Sequence, residues 1–220
     1  AKRVGRPIRL ADKELLSGRF DSPCEVDPFE VPLAEQVAFM KELDGYLNQP
    51  GVEQRRVQLS TVNKTIRYYD SEGAEIEKHI IDIFPSIHVS AFDSEGVQQG
   101  RKYLPPRLGP TRGWETMDRD HWKAEAERIV DEMKTMLSAP KCPEGRMSVI
   151  LMPDMMFLQV HETIGHPLEL DRILGYELSF AGGSFVRLED FGQLQYGSKK
   201  LNARADATLI NSPGSFGFDD

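Results

Sequence analysis

The chain has little cysteine. Cys24 and Cys142 are its two, far apart and in no C-x-x-C pair, which excludes a disulfide framework and suits a reducing, cytoplasmic setting. It also lacks long apolar runs: none approaches the ~20 residues that cross a bilayer, so no membrane helix is expected. The opening AKRVGRPIRLADKELL has no apolar middle of the kind a signal peptide needs. Positive charge is in the minority, with 27 Lys and Arg against 35 Asp and Glu and a net charge of -8. A general nucleic-acid binder needs a positive face to displace counterions, so no direct nucleic-acid contact is expected. The one basic cluster, Lys2, Arg3, Arg6 and Arg9, reads as a solvated segment rather than a DNA-contacting arm. There is no phosphate loop either, because AGGS at 181–184 does not stand between a strand and a helix.

The 220 residues suffice for one large domain or two small ones. Leu33, Val37, Met40, Leu43 and Leu47 recur at helical spacing and predict a helix over 27–49, with Pro32 in its first turn. From 54 to 104 the period becomes two, and the tetrapeptide DSEG recurs at 70–73 and 93–96. Its glycine can take the left-handed conformation that closes a short hairpin, so the stretch predicts an antiparallel meander of about four strands. Residues 104–114, LPPRLGPTRGW, are too rich in Pro and Gly for a regular element. A second helix over 118–138 places Trp122, Ala126, Ile129, Met133 and Leu137 on one face. The breaker APKCPEG suggests a boundary, giving an α+β domain over 1–144 and the incomplete start of a mixed α/β metal-bearing domain over 145–220. The latter is expected to open with a short strand, MSVILM (147–152), and a helix capped by Asp154; LNARADATLI alternates like a further strand. The missing initiator methionine and the uncapped end lead us to expect cuts in a longer chain.

The chemistry concentrates in VHETIGHPLELD, residues 160–171. His161, Glu162 and His166 form H-E-x-x-x-H, one residue wider than the H-E-x-x-H of ordinary zinc peptidases. Zinc favours imidazole ligands converging at about 2 Å, and a neighbouring glutamate can take a proton from metal-activated water. Helix geometry objects, since residues five apart diverge by about 140°. The local breakers answer it. Gly165 weakens the helix, and Pro167 cannot donate to the Thr163 carbonyl. Either a π-bulge absorbs the extra residue, or the helix stops at Gly165 and His166 swings back. The alternative is two histidines near a helix end, hydrogen-bonded and inert. His79, His88 and His121 stand alone and read as ordinary histidines; Met152, Met155 and Met156 read as core filling.

HETIGHPLELD, after an apolar stretch and Pro153-Asp154, resembles the TldD/PmbA family, long called modulators of DNA gyrase. TRGWE (111–115) and the closing GSFGFDD resemble two further family segments, so the likeness covers 100–220 and is densest over 145–175. TldD-type members are zinc-dependent peptidases. The resemblance implies that His161 and His166 ligate Zn2+ and that Glu162 is the catalytic base. Glu169 and Asp171 match acidic positions of the extended motif, as outer partners or caps rather than ligands; Leu170 departs from the family's usual glycine. The family's third ligand is a cysteine far downstream, which here falls beyond residue 220, because Cys24 and Cys142 lie upstream. The resemblance also implies unfolded or extended peptides as substrates, and a homodimer or a heterodimer with a PmbA-like subunit. Two rivals remain: a non-catalytic partner subunit of the same family, and a DNA- or topoisomerase-modulating binding protein.

Overall fold

In a computed structural model, the structure describes residues 15–105, 113–209 and 215–218. The basic cluster at Lys2 to Arg9, most of the Pro/Gly-rich connection and the outer residues of GSFGFDD lie outside them. Two compact units appear: residues up to 140 together with those from 206, and residues 141–205. No helix among the described residues is long and apolar enough to cross a membrane.

The first unit is α+β. Its strands are β1 (Ser17–Asp21), β2 (Gln54–Tyr69), β3 (Glu75–Phe92) and β4 (Gln98–Tyr103), and its helices are α1 (Leu33–Leu47) and α2 (Arg119–Met136). β3 is the hub. It pairs antiparallel with β2 along one edge; on the other it meets β1, in parallel, at 75–79 and β4, antiparallel, at 87–92. Three strands therefore fill 54–104 rather than four, and the fourth is parallel. Its sequence, SGRFD, has no alternation to announce it.

Both DSEG turns close hairpins. Asp70 Oδ1 accepts from the backbone N–H groups of Glu72, Gly73 and Ala74, each at 2.9 Å, and Asp93 Oδ1 accepts from Glu95 and Val97 at 2.9 Å. Gly73 and Gly96 sit at φ 104° and 77°, the left-handed region that a residue with a Cβ adopts only at a cost.

Between its β1 and β4 pairings, β3 has no paired strand on that edge among the described residues, and the backbone donors there are dealt with separately. Ile81 N–H donates to Ser22 Oγ at 2.7 Å, and the same hydroxyl donates back to the Ile81 carbonyl at 2.9 Å. Ile83 N–H donates to the Asp82 carboxylate at 3.1 Å. Pro85, two residues on and in register with Leu59, has no N–H, and a strand admits proline where one edge is unpaired.

Phe39, Leu43 and Leu47 of α1, Trp122, Ala126, Ile129, Val130 and Met133 of α2, and Ile83, Ile87, Val89 and Ala91 of β3 form one buried cluster. Burying a side chain of this size stabilises by roughly 1.5–3 kcal/mol, whereas the exposed pairs of Arg128 with Glu125 and Glu132 add far less. The α2 face is the one its spacing predicts, and Asp118 caps it by accepting from His121 N at 2.7 Å. The α1 face is turned: Leu33 and Val37 are exposed and Phe39 takes their place, because Phe39 meets the edge of the Trp114 ring at 5.8 Å. Pro32 is the residue before that helix, not part of its first turn.

The TRGWE stretch acquires a structural role here. Glu115 accepts from Val26 N at 2.9 Å and Gly113 N at 2.7 Å, and Trp114 N donates to the Val26 carbonyl at 2.7 Å. The described part of GSFGFDD also joins this unit: buried Lys78 donates to the Phe218 carbonyl at 2.6 Å and lies over the Phe216 ring.

Candidate metal centre

In the second unit, MSVILM forms no strand. Ile150 is 90 % exposed and 147–152 bonds to no neighbouring strand among the described residues; apolar composition makes a strand only where a partner is present. LNARADATLI likewise forms no strand over its described part. The motif helix α3 (Pro153–Val160) begins with Pro153 in its first turn, which makes Met152 the residue before the helix and removes Asp154 from the capping position. Met152 and Met155 are exposed, not core.

At His161 the helix widens. Residues His161–Gly165 form a π turn in which His166 N–H donates to the carbonyl of His161, five residues back. A 3-10 turn, His166–Leu168, and a short helix, α4 (Leu170–Ile173), follow. The reason lies in Pro167, which offers no N–H to Thr163. The hydroxyl of Tyr196 donates to the Thr163 carbonyl instead, and the Thr163 hydroxyl donates back to the Gln159 carbonyl at 2.5 Å. Burial pushes the Tyr196 phenol above its ordinary pKa.

The widened turn overcomes the 140° divergence. The rings of His161 and His166 come to 4.3 Å between centroids. Glu162 lies beside both, with its carboxylate oxygens 3.9 Å from His161 Nε2 and 4.0 Å from His166 Nε2. One ligand atom from each of the three residues lies within 4.8 Å of the others. Atoms around one tetrahedral zinc stand roughly 3.4 Å apart, from bond lengths near 2.1 Å. The closing movement is small, and side chains that are 57 %, 57 % and 28 % exposed have room to make it. The donor set fits a metal that prefers imidazole.

Behind His166 stands Glu169, which sequence reasoning left as an outer partner or cap. Its Oε1 is 2.6 Å from His166 Nδ1, and its Oε2 accepts from Arg172 Nε at 2.5 Å. The His166 ring, and then the Arg172 guanidinium, hold this carboxyl below its ordinary pKa. Arg172 Nη1 donates onward to the Ala181 carbonyl at 3.0 Å. The Ser184 hydroxyl ties the AGGS loop to the Pro167 carbonyl at 2.6 Å. Sequence reasoning missed Arg172 and Tyr196. For Arg172 the signal was available, since it stands three residues after Glu169 as Glu169 does after His166, and residues three apart are neighbours on a helix. For Tyr196, 33 residues from its acceptor, there was none.

The remaining histidines are accounted for by ordinary partners: His79 by Asn63 at 3.1 Å and His121 by Tyr103 at 2.8 Å, while His88 lies within β3. Cys24 is half-buried and Cys142 exposed, both as free thiols. Among the described residues, neither belongs to the His161, Glu162, His166 group.

Comparison with known families matches residues 26–137, which run from the segment before α1 through α2, to the PmbA/TldA metallopeptidase central domain. The chain belongs to the PmbA/TldD family. It is 28 % identical over 210 residues to a protein named metalloprotease from Archaeoglobus fulgidus, covering 92 % of this chain and 44 % of that protein. A metalloprotease from Methanothermobacter thermautotrophicus is 24 % identical over 198 residues, 84 % of this chain and 42 % of its own length. One from Methanocaldococcus jannaschii is 25 % identical over 218 residues, 98 % and 45 %. The chain thus spans less than half the length of these relatives.

Proposed function

We propose that this chain contributes part of the active centre of a zinc-dependent peptidase, with His161 and His166 as metal ligands through Nε2 and Glu162 as general base. The observation that carries the reading is the π turn, which brings two imidazoles five residues apart to one side of the chain with the carboxylate between them. The relatives' name, metalloprotease, supports a metal and a hydrolytic reaction; the imidazole-rich donor set favours zinc. A zinc ion held there would supply Lewis acidity, the chemistry that makes water reactive near neutral pH. Glu162 accepts the proton that the attacking water gives up and passes it to the leaving amine. The exposure of all three side chains leaves the centre open to an extended backbone, which fits unfolded or extended peptides as substrates.

The same reading places the third ligand, a cysteine, beyond residue 220, and assigns 145–220 to the start of the catalytic domain and 1–144 to the domain before it, with Phe216 and Phe218 packed back onto Lys78 of the latter. It makes the protein a cytoplasmic dimer, of itself or with a PmbA-like subunit. The test is a pair of variants in the full-length protein. Glu162→Gln keeps zinc and loses peptide cleavage, since an amide cannot take the proton, with an expected loss of about 10²–10⁴-fold. His161→Ala loses the metal itself. Full cleavage by Glu162→Gln, or unchanged zinc in His161→Ala, refutes the assignment; a wild-type protein that binds no zinc favours the non-catalytic partner subunit.

A further inference from the structure

The two candidate ligands are supported unequally. His161 is 57 % exposed, and among the described contacts its ring has only Glu162 and His166 beside it. His166 is 28 % exposed and is held from behind by a chain of polar contacts that ends on the backbone. The chain runs from His166 Nδ1 to Glu169 Oε1, from Glu169 Oε2 to Arg172 Nε, and from Arg172 Nη1 to the Ala181 carbonyl, at 2.6, 2.5 and 3.0 Å. Arg172 is only 15 % exposed, so this is no loose surface pair. Its far end is fixed too, because the loop that carries Ala181 is bound to the Pro167 carbonyl through Ser184.

We propose that Glu169 and Arg172 are positioning residues that lock His166 in one tautomer and one ring orientation before any metal arrives. An ionised carboxylate only accepts hydrogen bonds, so the proton on Nδ1 must belong to the imidazole, and a neutral ring then has its lone pair on Nε2. That is the nitrogen facing Glu162. Arg172 occupies the second oxygen of Glu169, which stops the carboxylate from rotating away or swinging round to ligate. The AGGS loop acquires a role as the anchor of this relay. Outer partners of this kind are worth roughly 10–100-fold in metal affinity. The inference rests on the metal-site reading above.

The test uses the full-length protein, stripped of metal and then titrated with Zn2+ against a chelator of known affinity and with Co2+ followed by its visible absorption. Glu169→Gln should weaken Zn2+ binding by roughly 10–100-fold and alter the Co2+ spectrum. Arg172→Leu should act in the same direction, and the double variant should bind no more weakly than Glu169→Gln, because the two residues act as one unit. Zn2+ affinity in Glu169→Gln equal to wild type, or losses that simply add, overturns the proposal. A second measurement needs no variant at the relay: ¹⁵N NMR of the metal-free wild type, with His166 assigned from His166→Gln, should show Nδ1 protonated and Nε2 bare. The opposite tautomer overturns the proposal even if Glu169→Gln fails to fold. Wild-type protein that binds neither Zn2+ nor Co2+ sinks the metal-site reading and this inference together. Tight binding by wild type with no change in Glu169→Gln sinks this inference alone.

Discussion

Ser22→Ala removes one oxygen atom and should cost far more than a serine usually does. The hydroxyl is 2.7 Å from Ile81 N, as acceptor, and 2.9 Å from the Ile81 carbonyl, as donor. Ser22 is 8 % exposed and Ile81 is 7 % exposed, so water cannot easily take over either bond. Leaving a buried donor or acceptor unsatisfied costs about 1–3 kcal/mol each, and for the two together we expect about 2–4 kcal/mol. Serine-to-alanine changes on an open surface fall within about 0.5 kcal/mol of zero. Amide exchange followed by mass spectrometry on the peptide spanning 79–84 reads the effect directly. At about 1.4 kcal/mol per factor of ten, the Ile81 amide should exchange on the order of 30- to 1,000-fold faster. Ser22→Thr, which keeps the hydroxyl, should stay close to wild type. Unchanged exchange in Ser22→Ala, with stability within about 0.5 kcal/mol of wild type, would refute the view that a side chain closes this edge of β3.

Two further outcomes are expected. Gly165 has φ −57° and open space where a Cβ would stand, the nearest atom being the Val160 carbonyl oxygen at 4.0 Å; Gly165→Ala should therefore keep the π turn and zinc binding and stabilise by roughly 0.5–1 kcal/mol, and a tenfold loss of zinc affinity would show that the turn needs glycine. Cys24 has its thiol pKa pushed up to about 11 by burial and then by Glu115 and Asp27, so at about pH 8.5 iodoacetamide should label exposed Cys142 and spare Cys24, the thiolate being the reactive form. A raised acid pKa favours the neutral thiol in the folded state. The stabilisation is thus complete below the unfolded thiol pKa, near 9, and fades as pH climbs toward 11; equal labelling rates would contradict the burial.

What could be read in the sequence was local. The DSEG turns follow from one aspartate and one glycine three positions apart, and the π turn follows from a spacing and a proline within seven residues. The face of α2 follows from periodicity, because that helix packs along most of its length. Readings failed where a partner distant in sequence decides the outcome. β1 is a strand because β3 lies beside it in parallel, and MSVILM is not one because, among the described residues, no strand does. α1 turned its face to meet Trp114, from another part of the chain. In the site, His161, Glu162 and His166 and the turn that brings them together were legible in the motif, but the Tyr196 hydroxyl that takes up the freed Thr163 carbonyl was not, since nothing in the motif points to residue 196.

The way β3 handles the edge left unpaired among the described residues bears on the life of the chain before it is fully folded. An unpaired strand edge is a template on which another copy can add a strand. Along 80–86 that addition meets a hydroxyl already holding Ile81, a carboxylate already holding Ile83, and a proline with nothing to offer. The opposite side of the sheet is guarded differently: β2 carries Arg55, Arg56, Lys64 and Arg67 and no acidic residue, and although Asp44 and Glu77 pair with Arg55 and Arg67, charged side chains along a strand disfavour the addition of another strand. Newly made chains can therefore collide sheet to sheet without zipping together, and a substitution such as Pro85→Val, silent in the folded core's contacts, would surface as aggregates during refolding at high concentration.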